Sequence, residues 1–124
     1  MIRVRATFKG EPDVPAFTKI FDSDDDIFFS SASMVEEKIR RNMKINANEA
    51  LVTYCSYVVK SVRAGKQDGE IKNGAAKILS ADSVMIGVPE TLQEITFEMI
   101  EGKVARKIVI DHPIPISGYI MAER

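Results

Sequence analysis

The chain has 124 residues, enough for one domain around one core, and its 45% apolar and 28% charged residues are ordinary globular values. A net charge of −1 gives no whole-molecule field to attract nucleic acid or an anionic membrane, and no apolar run approaches the roughly 20 residues that span a bilayer. A single cysteine, Cys55, excludes an internal disulfide, and Arg3 and Arg5 interrupt any signal-like opening, so a reducing cytoplasm is the expected compartment.

Residues 1–8, MIRVRATF, set Ile2, Val4, Ala6 and Phe8 on one side and Arg3, Arg5 and Thr7 on the other, the period-two pattern of a half-buried strand. Such a strand is expected to pair with an exposed edge, either of this chain's own C-terminal hairpin or of a neighbouring copy. The following KGEPDVPAF, with two prolines and a glycine, reads as a connector. A helix is expected over 24–42: Ser23 can cap it, Asp24, Asp25 and Asp26 suit the positive end of its dipole, Ile27, Phe28, Val35 and Ile39 share a face, and KIRR closes it.

Asn46 and Glu49 have the spacing of a capping box, and Leu51, Tyr54, Cys55, Val58 and Val62 recur behind them at intervals of three and four until Gly65. A shorter helix is expected over 69–79, and Ser80 suits the cap of a further turn through Met85 before GVP ends it. The period then changes: EITFEMI and VARKIVI are β-rich runs joined by EGK, a hairpin with Gly102 in its turn. The fold class is α+β, a helical bundle followed by a C-terminal β-hairpin, with an extra N-terminal β-strand.

Candidate chemistry is sparse. Asp22, Asp24 and Asp26 alternate as in a calcium loop, but the sixth and twelfth places hold Ile27 and Ser33 instead of glycine and glutamate. Gly69 and Gly74 have phosphate-loop spacing, yet Ala75 and Ala76 stand where Lys and Ser or Thr are required. Cys55 lies on the apolar stripe of its helix, where a packing role outweighs a nucleophilic one. Met34, Met43, Met85 and Met99 fall on or beside apolar faces as core or interface filler. KIRR and VRAGK are short basic groups at helix ends, where dipole complementarity accounts for them. His112, the only histidine, follows one aspartate and precedes Pro113, whereas a catalytic zinc or nickel site draws on several ligands. A strand-exit histidine is read as structural or surface.

Taken together, MKINANEAL, VRAGK, KILSADSVMIGVPE and IVIDHPIP resemble the gamma subunit of nickel-dependent ureases, without gaps over 24–114. The most specific part is V-M-x-G-V-P-E, Val84 to Glu90 here. The resemblance implies a noncatalytic structural subunit that supports hydrolysis of urea to ammonia and carbamate. Its expected partners are urease beta and alpha subunit-like chains in a trimeric or higher assembly, without nucleic acid or membrane. No cofactor is expected in this chain, nickel being held by the large partner subunit, and no catalytic or metal residue. Partner contacts are expected at Val84, Met85, Gly87, Val88, Pro89, His112 and Pro113. The family's histidine near the C-terminus falls at Asp111, with His112 in place of a following Asp or Asn.

Some positions depart from the pattern. Ser61 replaces a glycine, Ala64 an aspartate and Ile86 the glutamate of V-M-E-G-V-P, while NGAAKIL stands for E-E-G-R-H-V-L. The resemblance divides the chain into an N-terminal strand and connector over 1–23, the urease-gamma-like domain over 24–114 and a C-terminal extension over 115–124. Its alternative is a stand-alone interaction or regulatory module of the same fold. Neighbouring genes for beta and alpha subunits and nickel chaperones favour the first reading, and their absence the second.

Overall fold

A computed structural model describes residues 3–9, 17–22 and 26–114 of the chain. Residues 10–16 of the connector, Ser23, Asp24 and Asp25 of the expected helix start, the side chains of Ile27 and Phe28, and the extension 115–124 lie outside the described residues.

Four strands form one antiparallel sheet: β1 (Arg3–Lys9), β2 (Phe17–Asp22), β3 (Glu94–Glu101) and β4 (Val104–Asp111), in the order β2-β1-β3-β4. The N-terminal strand pairs with this chain's own hairpin, Val4 opposite Met99 and Ala6 opposite Phe97. A lone hairpin is marginal in water, and the added strands give it a continuous apolar face. That face carries Val4, Ala6 and Phe8 from β1, Ile95, Phe97 and Met99 from β3, and Ile108 and Ile110 from β4, none more than 5% exposed. Strand β2 corrects the sequence reading, which treated Phe17 as connector and assigned no strand after it. FTKIFD has no clean period of two, so its pairing, Phe21 opposite Val4 and Lys19 opposite Ala6, leaves little trace in the pattern.

The helices are α1 (Asp26–Arg40), α2 (Ala47–Arg63), α3 (Asp68–Ala75) and α4 (Val88–Thr91). Helix α1 packs on α2, and α2 and α3 contact the sheet. The capping box at the head of α2 is complete: Glu49 N–H donates to Asn46 Oδ1 at 2.8 Å, and Asn46 N–H donates to Glu49 Oε1 at 3.0 Å. Behind it Leu51, Tyr54, Cys55 and Val58 are fully buried. At roughly 1.5–3 kcal/mol for burying each large aliphatic chain, this stripe is a main source of stability.

Helix α3 stops at Ala75, shorter than the expected 69–79, and the turn capped by Ser80 is a single 3-10 turn at Ala81–Ser83. Gly74 explains how closely α3 approaches α2. A Cβ there would lie 2.2 Å from the Tyr57 hydroxyl, which donates to the Ile71 carbonyl at 2.7 Å. Of the four methionines read as filler, only Met99 is in the core, and Met34, Met43 and Met85 are exposed.

Candidate interaction surface

The segment from Ser80 to Gln93 joins the helices to the hairpin and is held by backbone bonds rather than by length of helix. Ile45 and Val84 form an isolated parallel bridge, in which Ile45 N–H donates to the Ser83 carbonyl at 3.1 Å and Met85 N–H donates to the Ile45 carbonyl at 2.9 Å. Lys44 Nζ donates to the Asp82 carbonyl at 3.1 Å, tying the same two strands of chain from outside.

Val84, Val88 and Leu92 are buried and four residues apart, so the turn is anchored to the core at both ends and in the middle. Between the anchors Gly87 adopts φ of 92°, a left-handed conformation that glycine reaches without a Cβ penalty. Its carbonyl accepts from Thr91 N–H at 3.1 Å and from Thr91 Oγ1 at 2.9 Å. Pro89 then occupies the first turn of α4, where a missing N–H costs no hydrogen bond. This tight geometry turns Met85 and Ile86 away from the core: Ile86 has no shielding at all, and Met85 is 46% exposed. The expectation of α4 was missed in the sequence because the glycine and proline of GVP read as a stop.

The histidine lies next to this turn. His112 N–H donates to the carbonyl of Gln93, the residue after Leu92, at 2.6 Å, and the imidazole is exposed. Its φ of 47° falls in the left-handed region, where Asn, Asp and His are the most frequent residues besides glycine. The chain then turns inward. Pro113 is buried, and its carbonyl accepts from Tyr54 Oη at 3.1 Å across the core.

Of the seven positions proposed from sequence as partner contacts, the structure therefore places Met85, Gly87 and His112 on the surface and Pro89 partly exposed. Val84, Val88 and Pro113 are interior residues that hold the surface ones in place. Ile86, absent from that group, is the most exposed large apolar residue among the described ones. Its signal was present, since an isoleucine stands where the resembled pattern has glutamate.

Among the described residues the ionisable groups give no catalytic constellation. Burial pushes the Cys55 thiol up to about 12, so it remains protonated and unreactive in the folded chain. Burial also raises Tyr54 well above the ordinary phenol value. For Glu49, partial burial acts upward, but the Lys38 ammonium, 2.5 Å from Oε2, and the Asn46 N–H outweigh it and hold the carboxyl below its ordinary value. Among the described residues no three His, Cys, Asp or Glu side chains are grouped as a metal site, and no helix is long and apolar enough to cross a membrane.

The family model for urease, gamma subunit, matches residues 21–114. A urease subunit gamma from Halalkalibacterium halodurans is 31% identical over 86 residues, a stretch that covers 69% of this chain and 86% of that protein. The matched region contains α1 to α4, the hairpin and the turn around Gly87, and the chain belongs to the urease gamma subunit family.

Proposed function

We propose that the chain is a noncatalytic structural subunit of a nickel-dependent urea amidohydrolase, working beside beta and alpha subunit-like chains in a cytoplasmic assembly built on three copies of each or a multiple. The family match over 21–114 carries this reading. In it the nickel ions and the groups that hydrolyse urea to ammonia and carbamate belong to the large partner. This chain contributes buried contact area and rigidity, which keep the partner's metal-binding groups where their chemistry needs them.

The surface offered for that role is the turn around Gly87 with His112 beside it. Met85 and Ile86 are apolar groups presented on a backbone pinned by Val84, Val88 and Leu92, so little conformational entropy is lost when a partner covers them. A test is equilibrium dialysis of the isolated chain against nickel together with a urea hydrolysis assay. The reading expects neither a stoichiometric ion nor ammonia release, and either one overturns it, because it would put the chemistry in this chain.

A further inference from the structure

The open edge of the sheet carries information of its own. In the hairpin, Glu101 and Val104 flank a two-residue turn at Gly102 and Lys103 and pair with each other. In such a hairpin the closing pair exchanges hydrogen bonds, and every second pair after it does the same. Counting from there, the bonded pairs are Met99 with Arg106, Phe97 with Ile108 and Ile95 with Ile110. The next step, His112 N–H to the Gln93 carbonyl at 2.6 Å, keeps the same alternation and confirms it. Lys107, Val109 and Asp111 therefore direct their backbone N–H and C=O groups away from β3. Strand β4 is last in the sheet order, so among the described residues no strand lies beyond it.

We propose that this edge pairs with the same edge of a second copy, antiparallel and about a two-fold axis at Val109, so that two four-stranded sheets join into one. Two strands meeting at their outward-bonding residues must match one of Ala105, Lys107, Val109 or Asp111 with another of that set. Placing the axis at Lys107 puts two lysines face to face, and placing it midway between Lys107 and Val109 leaves Lys107 opposite a valine. With the axis at Val109, Lys107 of each copy stands opposite Asp111 of the other, and Val109 opposite Val109.

Opposite charges directly across an antiparallel pair stabilise it, and like charges there oppose it. The side chains fit the placement. Lys107 and Asp111 are exposed, Val109 is half-buried on the face of the sheet away from the helices, and Ile108 and Ile110 remain on the covered face. A lysine on an edge strand usually guards it against unwanted pairing. Within the hairpin Glu98 of β3 stands opposite Lys107 on one side, and in this register Asp111 of the second copy faces it on the other, so the lysine favours the pairing instead of opposing it. The edge thus suits a second copy in this register.

The test is sedimentation equilibrium of the full chain over a concentration series, with far-UV circular dichroism as the check on folding. The wild type, 13.8 kDa as a monomer, is expected to shift towards twice that mass as concentration rises. Lys107→Asp sets two acids opposite each other at both ends of the contact and is expected to weaken dimerisation at least tenfold. The double variant Lys107→Asp with Asp111→Lys restores the pairing with the charges exchanged and is expected to recover it. Val109→Pro, which removes an outward N–H at the axis, is expected to stay folded and monomeric. A wild type that remains monomeric throughout, or a dimer unchanged by the single reversal, overturns the proposal. So does a double variant that stays folded but monomeric.

Discussion

Helix α2 and the turn around Gly87 are both rich in apolar residues, and they face them in opposite directions. In α2 the residues at intervals of three and four, Leu51, Tyr54, Cys55 and Val58, all enter the core. In the turn, Val84 and Val88 enter it while Met85 and Ile86 between them face solvent. Apolar sequence in α2 is accounted for by folding alone. In the turn the anchors are accounted for by folding and the exposed pair is not, which is why the latter is assigned to a partner. Substitutions in the first region should register in stability, and substitutions at the exposed residues of the second in association.

The largest effects are expected in the core. Leu51→Ala should lower the unfolding free energy by about 2–5 kcal/mol, the usual range for a fully buried leucine replaced by alanine. Removing residues 1–9 should do more, because it takes Val4, Ala6 and Phe8 out of the core and strips β3 of its second neighbour. Loss of a cooperative thermal transition is the expected result. A truncated chain that melts as the intact one does would mean that β1 contributes nothing to the sheet.

Next comes the approach of α3 to α2. Gly74→Ala brings a methyl onto the Tyr57 hydroxyl and forces that ring to move, breaking its bond to the Ile71 carbonyl. A loss of about 1–3 kcal/mol in denaturant unfolding is expected, the common cost of overpacking. If the loss disappears in the Tyr57→Ala background, the clash is its cause; if it persists there, another is.

The cap of α2 should matter less. Asn46→Ala is expected to cost about 1 kcal/mol. Because Glu49 has a lowered pKa in the folded chain, its contribution is complete above the unfolded carboxylate value near 4.5 and is lost as the pH falls below that towards the folded value. Stability of the wild type should therefore drop more steeply through this acid range than that of Glu49→Gln. Parallel pH profiles for the two proteins would remove Glu49 from the account.

How much of this was legible in the sequence follows from the same division. The capping box and stripe of α2, the alternation in β1 and the β-rich runs of β3 and β4 around Gly102 are local patterns, and each led to the element observed. Strand β2 is held by pairing with β1 rather than by its own periodicity, and α4 by tertiary anchors at Val88 and Leu92, so neither was readable locally. Position 112 was readable as a strand exit, but only the backbone reveals that it occupies a left-handed turn, a conformation that His shares with Asp and Asn. The partner contacts drawn from the family pattern mixed interior and surface residues, because a motif records what builds a turn together with what the turn displays.

The smallest stability effect is expected at the surface of the turn. Ile86→Glu should leave unfolding within about 0.5 kcal/mol of the wild type, as for an exposed side chain without contacts. Its effect should appear instead as weakened binding to the alpha and beta subunit-like chains in a pull-down. Undiminished binding would move the contact surface elsewhere on the chain.

The most direct test of the central claim is omission. The alpha and beta subunit-like chains of the source organism, with their nickel-loading factors, are expressed with and without this chain, and assembly mass, bound nickel and urea hydrolysis are measured. The account predicts a complete, nickel-loaded and active assembly only when the chain is present, with the metal held by the large partner. An assembly that forms and hydrolyses urea equally well without the chain would contradict it.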